Sequence, residues 1–229
     1  MEFTKLSNRL DLVASFVPDG ARLLDVGSDH AYLPIALLQE GKIEAAIAGE
    51  VVEGPYQSAL QNVADNGLED KIEVRLANGL AAFEPTDGIS CITIAGMGGR
   101  LIADILAAGL VKLASVSRLV LQPNNREDEL RAWLVDNDFR IVDEAISEEN
   151  EKFYEILVVE QGSQELSAKE LRFGPYLMQE QAPAFVQKWS KEVEKLAFAL
   201  EQVPVENQSA RASLEERIAH IKEVLHVSK

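Results

Sequence analysis

Five short stretches hold residues able to do chemistry where apolar runs give way to turns. DVGSDHAYLP contains Asp25, Gly27, Ser28, Asp29 and His30, and Glu50, with Val51 beside it, follows at the end of the next apolar run. Asn78 and Gly79 end KIEVRLANG, Ala95, Gly96 and Met97 open AGMGG, and Gln122 and Asn124 flank Pro123 in LQPNN. A carboxylate ending the second strand of an open α/β sheet can accept hydrogen bonds from both ribose hydroxyls of an adenosine-containing ligand. Dinucleotides and S-adenosylmethionine share that requirement, so the first loop must tell them apart.

In a dinucleotide fingerprint the second glycine lets the main chain approach the pyrophosphate. Aligning Gly27 with the first glycine puts Asp29 at that place. Against a pyrophosphate, an aspartate at contact distance costs about 4 kcal/mol per pair of charges in a partly solvated site. S-adenosylmethionine has no phosphate, and its sulfonium and amino groups are positive. Asp25 and Asp29 therefore point to a cationic cofactor. An Asp ahead of a helix is also an ordinary N-cap residue, and that reading stays open for Asp29. His30 either bonds locally or shapes the methyl-transfer pocket. Gln122 and Asn124 either hydrogen-bond the edge of an acceptor base or simply end a strand around Pro123. His220 and His226 lie on the last expected helix and no Cys or His cluster exists, so a metal site is not expected.

These residues need a scaffold that brings several strand ends together. After an expected amphipathic helix over residues 4–17, with Leu6, Leu10, Val13 and Val17 on one stripe, strands and helices alternate. ARLLDV, IEAAIAGEV, KIEVRLA, GISCITIAG and SRLVLQ read as strands. AYLPIALLQE, PYQSALQNVADNG, GGRLIADILAAG and NREDELRAWLVDND read as the intervening helices. FRIVDEAIS and KFYEILVVE follow as an antiparallel pair. The fold class expected is α/β, a doubly wound Rossmann-like sheet.

Alternation stops near residue 163, which divides the chain into 1–162, the cofactor-binding domain, and 163–229, a helical hairpin domain. Val186, Trp189, Val193, Leu196, Leu200 and Val203 keep heptad spacing, and Leu214, Ile218, Ile221 and Leu225 resume it. Ser213 and Glu216 are spaced as a capping box for the second helix. A short coiled-coil-like antiparallel hairpin is expected, self-packed or acting as an arm for a partner.

The net charge of −16 does not suit a general nucleic-acid binder. Of the 38 acids and 22 bases, ten and nine fall after residue 163, which leaves 28 against 13 in the first part. The acidity thus belongs to the α/β region. A single cysteine, Cys91, within an apolar strand excludes an internal disulfide. No run approaches the ~20 apolar residues of a membrane span, and no signal peptide is evident. A cytoplasmic location, no membrane partner, and a monomer or weak dimer are expected.

DVGSDHAYLP, GEVVEGP, NGL, IAGMGG and LQPN, in this order and approximate spacing, resemble the bacterial tRNA (adenine-22-N1)-methyltransferase family, a branch of the class I S-adenosylmethionine-dependent methyltransferases. The resemblance implies a tRNA partner and methyl transfer to an adenine N1. It implies that Asp25, Gly27, Ser28, Asp29 and His30 surround the methionine part of the cofactor, Glu50 the ribose and Asn78 the adenine amino group. Asn78 departs from the Asp common in that family. AGMGG stands where many amino-methyltransferases carry Asn-Pro-Pro-Tyr, and a ring nitrogen with an in-plane lone pair has no need of that grip. Lys5, Arg9, Arg100 and Arg126 near the ligand edge, and Lys188, Lys191 and Lys195 on the hairpin, are candidate phosphate contacts. The alternatives are a methyltransferase for a small metabolite, a non-catalytic interaction protein using the hairpin, and an NAD-dependent oxidoreductase, which Asp29 disfavours.

Overall fold

The computed structural model describes residues 4–226; the outer ends of the two expected domains, 1–3 and 227–229, lie outside the described residues. Seven strands form one sheet in the order β3-β2-β1-β4-β5-β7-β6. These are β1 (Ala21–Val26), β2 (Ile43–Glu50), β3 (Ile72–Leu76), β4 (Cys91–Met97), β5 (Arg118–Pro123), β6 (Phe139–Glu149) and β7 (Lys152–Gln161). The first five pair in parallel, while β7 runs antiparallel to both β5 and β6. The strand order reverses between β1 and β4, so the crevice at their carboxyl ends is the natural ligand site.

Helices cover both faces. On one, α1 (Asn8–Ser15), α2 (Tyr32–Gln39) and α3 (Glu53–Asp65) bury Val13, Leu33, Leu37, Ala59 and Val63 against Leu23, Ala46 and Cys91. On the other, α4 (Gly99–Ala108) and α5 (Glu127–Asp136) bury Ile102, Leu106, Leu130 and Leu134 against Leu24, Ile92 and Leu121. Strands buried on both faces read as continuous apolar runs, and burial raises the Cys91 thiol pKa to about 12. The first helix is shorter than its apolar stripe, because Ser7 caps it by accepting the Leu10 N–H at 3.3 Å.

Past β7 come α6 (Ala168–Phe173), α7 (Pro175–Glu180), α8 (Pro183–Gln202) and α9 (Gln208–His226). The last two form the expected hairpin, with Arg217 reaching Glu192 at 3.4 Å and Arg211 donating to the Leu200 carbonyl at 3.1 Å. A third apolar cluster of Phe173, Leu177, Phe185, Trp189, Leu196, Ile221 and Val224 seats it on Ile146 of β6. Two expectations are corrected here. Ser213 lies inside α9, which begins after Asn207, whose side chain accepts the Ala210 N–H at 3.3 Å. Val186 is exposed, and its neighbour Phe185 fills the core place assigned to it.

A buried charged network joins the hairpin to the sheet. Arg131 of α5, fully buried, donates to Glu144 of β6 at 2.8 Å and to Glu155 of β7 at 2.5 Å. Glu155 also accepts from Lys188 of α8 at 2.7 Å, and Lys188 reaches Glu127 at the start of α5 at 3.0 Å. Glu144 accepts the Tyr176 N–H at 3.0 Å. Burial works to raise the Glu155 pKa, yet Arg131 and Lys188 together hold it below the usual carboxylate range. For Glu144 burial prevails and its pKa is raised.

Candidate active site

The β1–α2 turn is built from left-handed backbone. Gly27, Asp29, His30 and Ala31 have φ of 68°, 43°, 69° and 60°. Three of these are not glycine, and each left-handed L-residue costs about 1–2 kcal/mol; such strain persists only where the surroundings hold it. Two contacts do so. The Asp29 N–H donates to Glu50 Oε1 at 2.5 Å, and Asn62 of α3 donates to the His30 carbonyl at 3.0 Å. The N-cap of α2 is Ala31, with no side-chain cap bond, so Asp29 is not the cap. Its carboxylate is 84% exposed and stands 3.4 Å from His30 Nε2.

Asp25 lies behind this turn. Its register opposite Thr93 in the β1–β4 pair lets the Thr93 hydroxyl donate to Oδ1 at 2.6 Å, while Ser28 donates to Oδ2 at 2.6 Å. Burial raises the Asp25 pKa against these two hydrogen bonds, and the Asp29 charge adds to the rise. Glu50 is buried too, and its pKa is raised first by desolvation, with the charges of Asp25 and Asp29 contributing. Asp25, Asp29 and Glu50 thus lie near enough at the ends of β1 and β2 for the first two charges to act on Glu50, an arrangement that a cation relieves and a diphosphate aggravates. Oε1 of Glu50 holds the loop. Val51 is exposed beside it, and Asn78 is exposed while Gly79 is buried. Asn78 and Gly79 border a cavity of about 290 Å³ whose far wall includes Leu101 and Ile105 of α4.

The AGMGG and QPNN segments lock together. The β4–β5 register shifts between Ala95 and Met97, and Gly96, at φ 78°, is the extra residue of this bulge. Gln122 Oε1 accepts the Gly96 N–H at 2.9 Å, and Asn124 Nδ2 donates to the Gly96 carbonyl at 2.7 Å. The Gln122 amide nitrogen donates to Pro123 O and Asn124 Oδ1 at 2.8 and 3.1 Å. Gln122 is completely buried. Its amide is occupied in holding the bulge, the strand-ending alternative of the two that the sequence left open for it. Asn124 stays exposed at the strand end. Across the crevice the Met97 methyl lies against Gly27, where a Cβ would strike it.

Sequence reasoning missed Thr93, whose role comes from register alone, and it offered Arg9 as a candidate phosphate contact rather than a partner of Gln122. Arg9 donates to Gln122 Oε1 at 2.6 Å and lies over the Tyr154 ring at 5.5 Å, tying α1 to the bulge. Arg126 pairs with Glu129 at 2.9 Å, whereas Lys5 and Arg100 are exposed. Lys188 is held by Glu127 and Glu155 within the network described above. Among the described residues no group of three or more His, Cys, Asp or Glu could hold a metal, and no helix is long and apolar enough to cross a membrane.

Residues 23–223 match the family model described as tRNA (adenine(22)-N(1))-methyltransferase, TrmK. The Bacillus subtilis tRNA (adenine(22)-N(1))-methyltransferase is 40% identical over 98% of this chain and 99% of its own. The structure of Streptococcus pneumoniae Sp1610 in complex with S-adenosyl-L-methionine is 66% identical, superimposes with a TM-score of 0.90, and covers 97% of this chain and 100% of that one. Mycoplasma capricolum TrmK in complex with S-adenosyl-homocysteine is 29% identical, with a TM-score of 0.84 over 98% of this chain and 99% of its own. Strand order and these matches agree: the chain belongs to the tRNA (adenine(22)-N(1))-methyltransferase family.

Proposed function

We propose that this protein transfers the methyl group of S-adenosylmethionine to N1 of adenine 22 in tRNA. The observation that carries the reading is the cluster of Asp25, Asp29 and Glu50 around the β1–α2 turn and the end of β2, tied together by the Asp29 N–H bond to Glu50 and the Ser28 bond to Asp25, in a chain of this family. S-adenosylmethionine, when bound, supplies a methyl group activated by its sulfonium. Glu50 orients the ribose, Asn78 meets the adenine amino group through its side-chain oxygen, and Val51 and Gly79 flank the ring. Gly27, Ser28, Asp29 and His30 surround the methionine end, with Asp25 holding the turn from behind. Ala95, Gly96 and Met97 form the floor between cofactor and base.

Adenine N1 carries an in-plane lone pair, so the N1–CH3 bond forms as the S–CH3 bond breaks. No proton leaves N1 first, and the positive charge passes to the base. The demand on the protein is alignment, which is what a rigid loop supplies. The target base leaves its stack to reach this floor. Asn124, exposed at the end of β5, meets its edge, and Gln122 acts as a positioning residue through Gly96 and Arg9. The division at residues 162 and 163 separates the cofactor domain from a helical arm that grips tRNA in the cytoplasm.

Two measurements test the reading. S-adenosylmethionine at 100 times its dissociation constant should stabilise the fold by roughly 2.7 kcal/mol, and NAD should leave melting unchanged. Labelled methyl groups should enter unmodified bulk tRNA; melting that responds to NAD alone, or tRNA left unlabelled, refutes the assignment.

A further inference from the structure

A groove of about 980 Å³ runs from Asn124 and Asn125, beside the reaction loop, to the helical hairpin. Six basic side chains line it: Lys152, Arg172, Lys188, Lys191, Lys195 and Arg217. Three acids, Glu127, Asp128 and Glu192, share the lining, so the groove reverses the sign of a chain whose net charge is −16. Its cations are not equivalent. Lys188 is neutralised by Glu127 and Glu155 at 3.0 and 2.7 Å. Lys195 and Arg217 share the single carboxylate of Glu192, at 3.5 and 3.4 Å.

Arg172 makes no hydrogen bond or ion pair among the described residues. Its guanidinium stacks 4.9 Å from the Phe173 ring centre and 5.6 Å from that of Trp189, which fixes it in place without neutralising it. Burial, and then the like charge of Arg217, hold its pKa below the usual arginine value. Arg172 of α6 and Arg217 of α9 thus face one groove together, with Glu192 and Asp128 as the acids beside Arg172. Bridging by an anion relieves such an arrangement, and planar guanidinium groups suit phosphate oxygens. The groove begins at Asn124, which the proposed function sets at the edge of the acceptor base, so an anion bound along it fits the backbone of that same polymer.

We propose that this groove seats the tRNA sugar–phosphate backbone beside the target nucleotide, with Arg172 and Arg217 clamping one phosphate; the proposal rests on the methyltransferase reading above. Lys152, Lys191 and Lys195 add weaker contacts along the track. Lys188 serves as a structural strut, although it occupies the same helix face.

The test is the affinity of full-length protein for an unmodified tRNA transcript, measured from about 50 to 200 mM KCl for wild type, R172M, R217Q and the pair. Methionine at 172 retains the apolar stem packing. The double variant should bind about 10- to 100-fold more weakly, and its log–log salt slope should be shallower by about 1. R172K should recover the slope. S-adenosylmethionine titration and melting temperature should match wild type in every variant, as should tRNA affinity in K71Q, on an exposed residue remote from the groove. A double variant with unchanged affinity and slope overturns the clamp while leaving the enzyme reading intact. Wild type that binds S-adenosylmethionine but no tRNA overturns both.

Discussion

Glu50 Oε1 accepts the backbone N–H of Asp29 at 2.5 Å, so the carboxylate assigned to the cofactor ribose also fastens the left-handed turn that faces the methionine end. On that assignment, cofactor binding and loop geometry form one electrostatic unit. The hydrogen bond comes from the main chain, so it survives any change of side chain at Asp29.

Replacing Glu50 with glutamine removes the charge and keeps the shape. Hydrogen bonds to charged groups contribute about 1.5–3 kcal/mol, so E50Q should bind S-adenosylmethionine about 10- to 100-fold more weakly with its fold retained. Burial raises the Glu50 pKa from 4.5, which fixes the sign of the pH response. The stability that protonation gives to the free protein is full below that value and disappears as pH rises through the folded pKa. Cofactor affinity in wild type should run the other way, falling as pH drops towards that folded pKa, and calorimetric titration should find this dependence weaker in E50Q, where Asp25, also raised by burial, is left to supply the rest. Wild-type affinity that stays flat down to pH 4.5 would contradict the role.

Gly27 combines a φ of 68° with a Cβ position that collides with the Met97 methyl. G27A should cost about 1–2 kcal/mol from the backbone alone and abolish measurable cofactor binding. Adding M97A should relieve the clash yet leave the backbone cost. Denaturation curves for the single and double variants separate the two effects; a G27A protein as stable as wild type would show that the turn carries no strain.

Gln122 should matter for turnover more than for cofactor affinity. Q122L strands the Gly96 N–H and removes the acceptor for Arg9, loosening the bulge that both hold. Single-turnover rates should fall about 10-fold or more, while the dissociation constant for S-adenosylmethionine stays within about twofold. Should both fall together, Gln122 would be part of the cofactor site instead.

Arg131 leaves two buried carboxylates facing each other when it is removed. R131M should therefore destabilise the protein by about 3–5 kcal/mol, and the triple variant R131M/E144Q/E155Q should recover much of that loss. Urea denaturation checks both. A single variant as stable as wild type would mean that the network contributes nothing to joining hairpin and sheet.

The strand ends carrying Asp25, Glu50, Gly96 and Gln122 were legible because parallel strands buried on both faces are uninterrupted apolar runs that stop at the ligand edge. The turn at Asp29, His30 and Ala31 was not. Nothing in Ala31 itself favours φ of 60°; Glu50 and Asn62, distant in sequence, support the conformation. Ser213 and Glu216 misled because their three-residue spacing occurs inside helices as well as at their starts, and Asn207 sets the beginning of α9. The hairpin heptad was read one residue out of phase at its start, with Val186 in place of Phe185. Thr93, the Arg131 network and the groove that Arg172 and Arg217 share depend on strand register and helix docking, which local spacing does not encode.

The decisive measurement is methyl transfer to two unmodified tRNA transcripts that differ only in having adenine or guanine at position 22, with the modified nucleotide mapped by reverse-transcription arrest. Arrest at position 22 of the adenine transcript, with the guanine transcript at background, is the outcome expected from a carboxylate-lined cofactor crevice opening onto a rigid backbone floor. Equal labelling of the two, or a methyl group mapped to any other nucleotide, would contradict it.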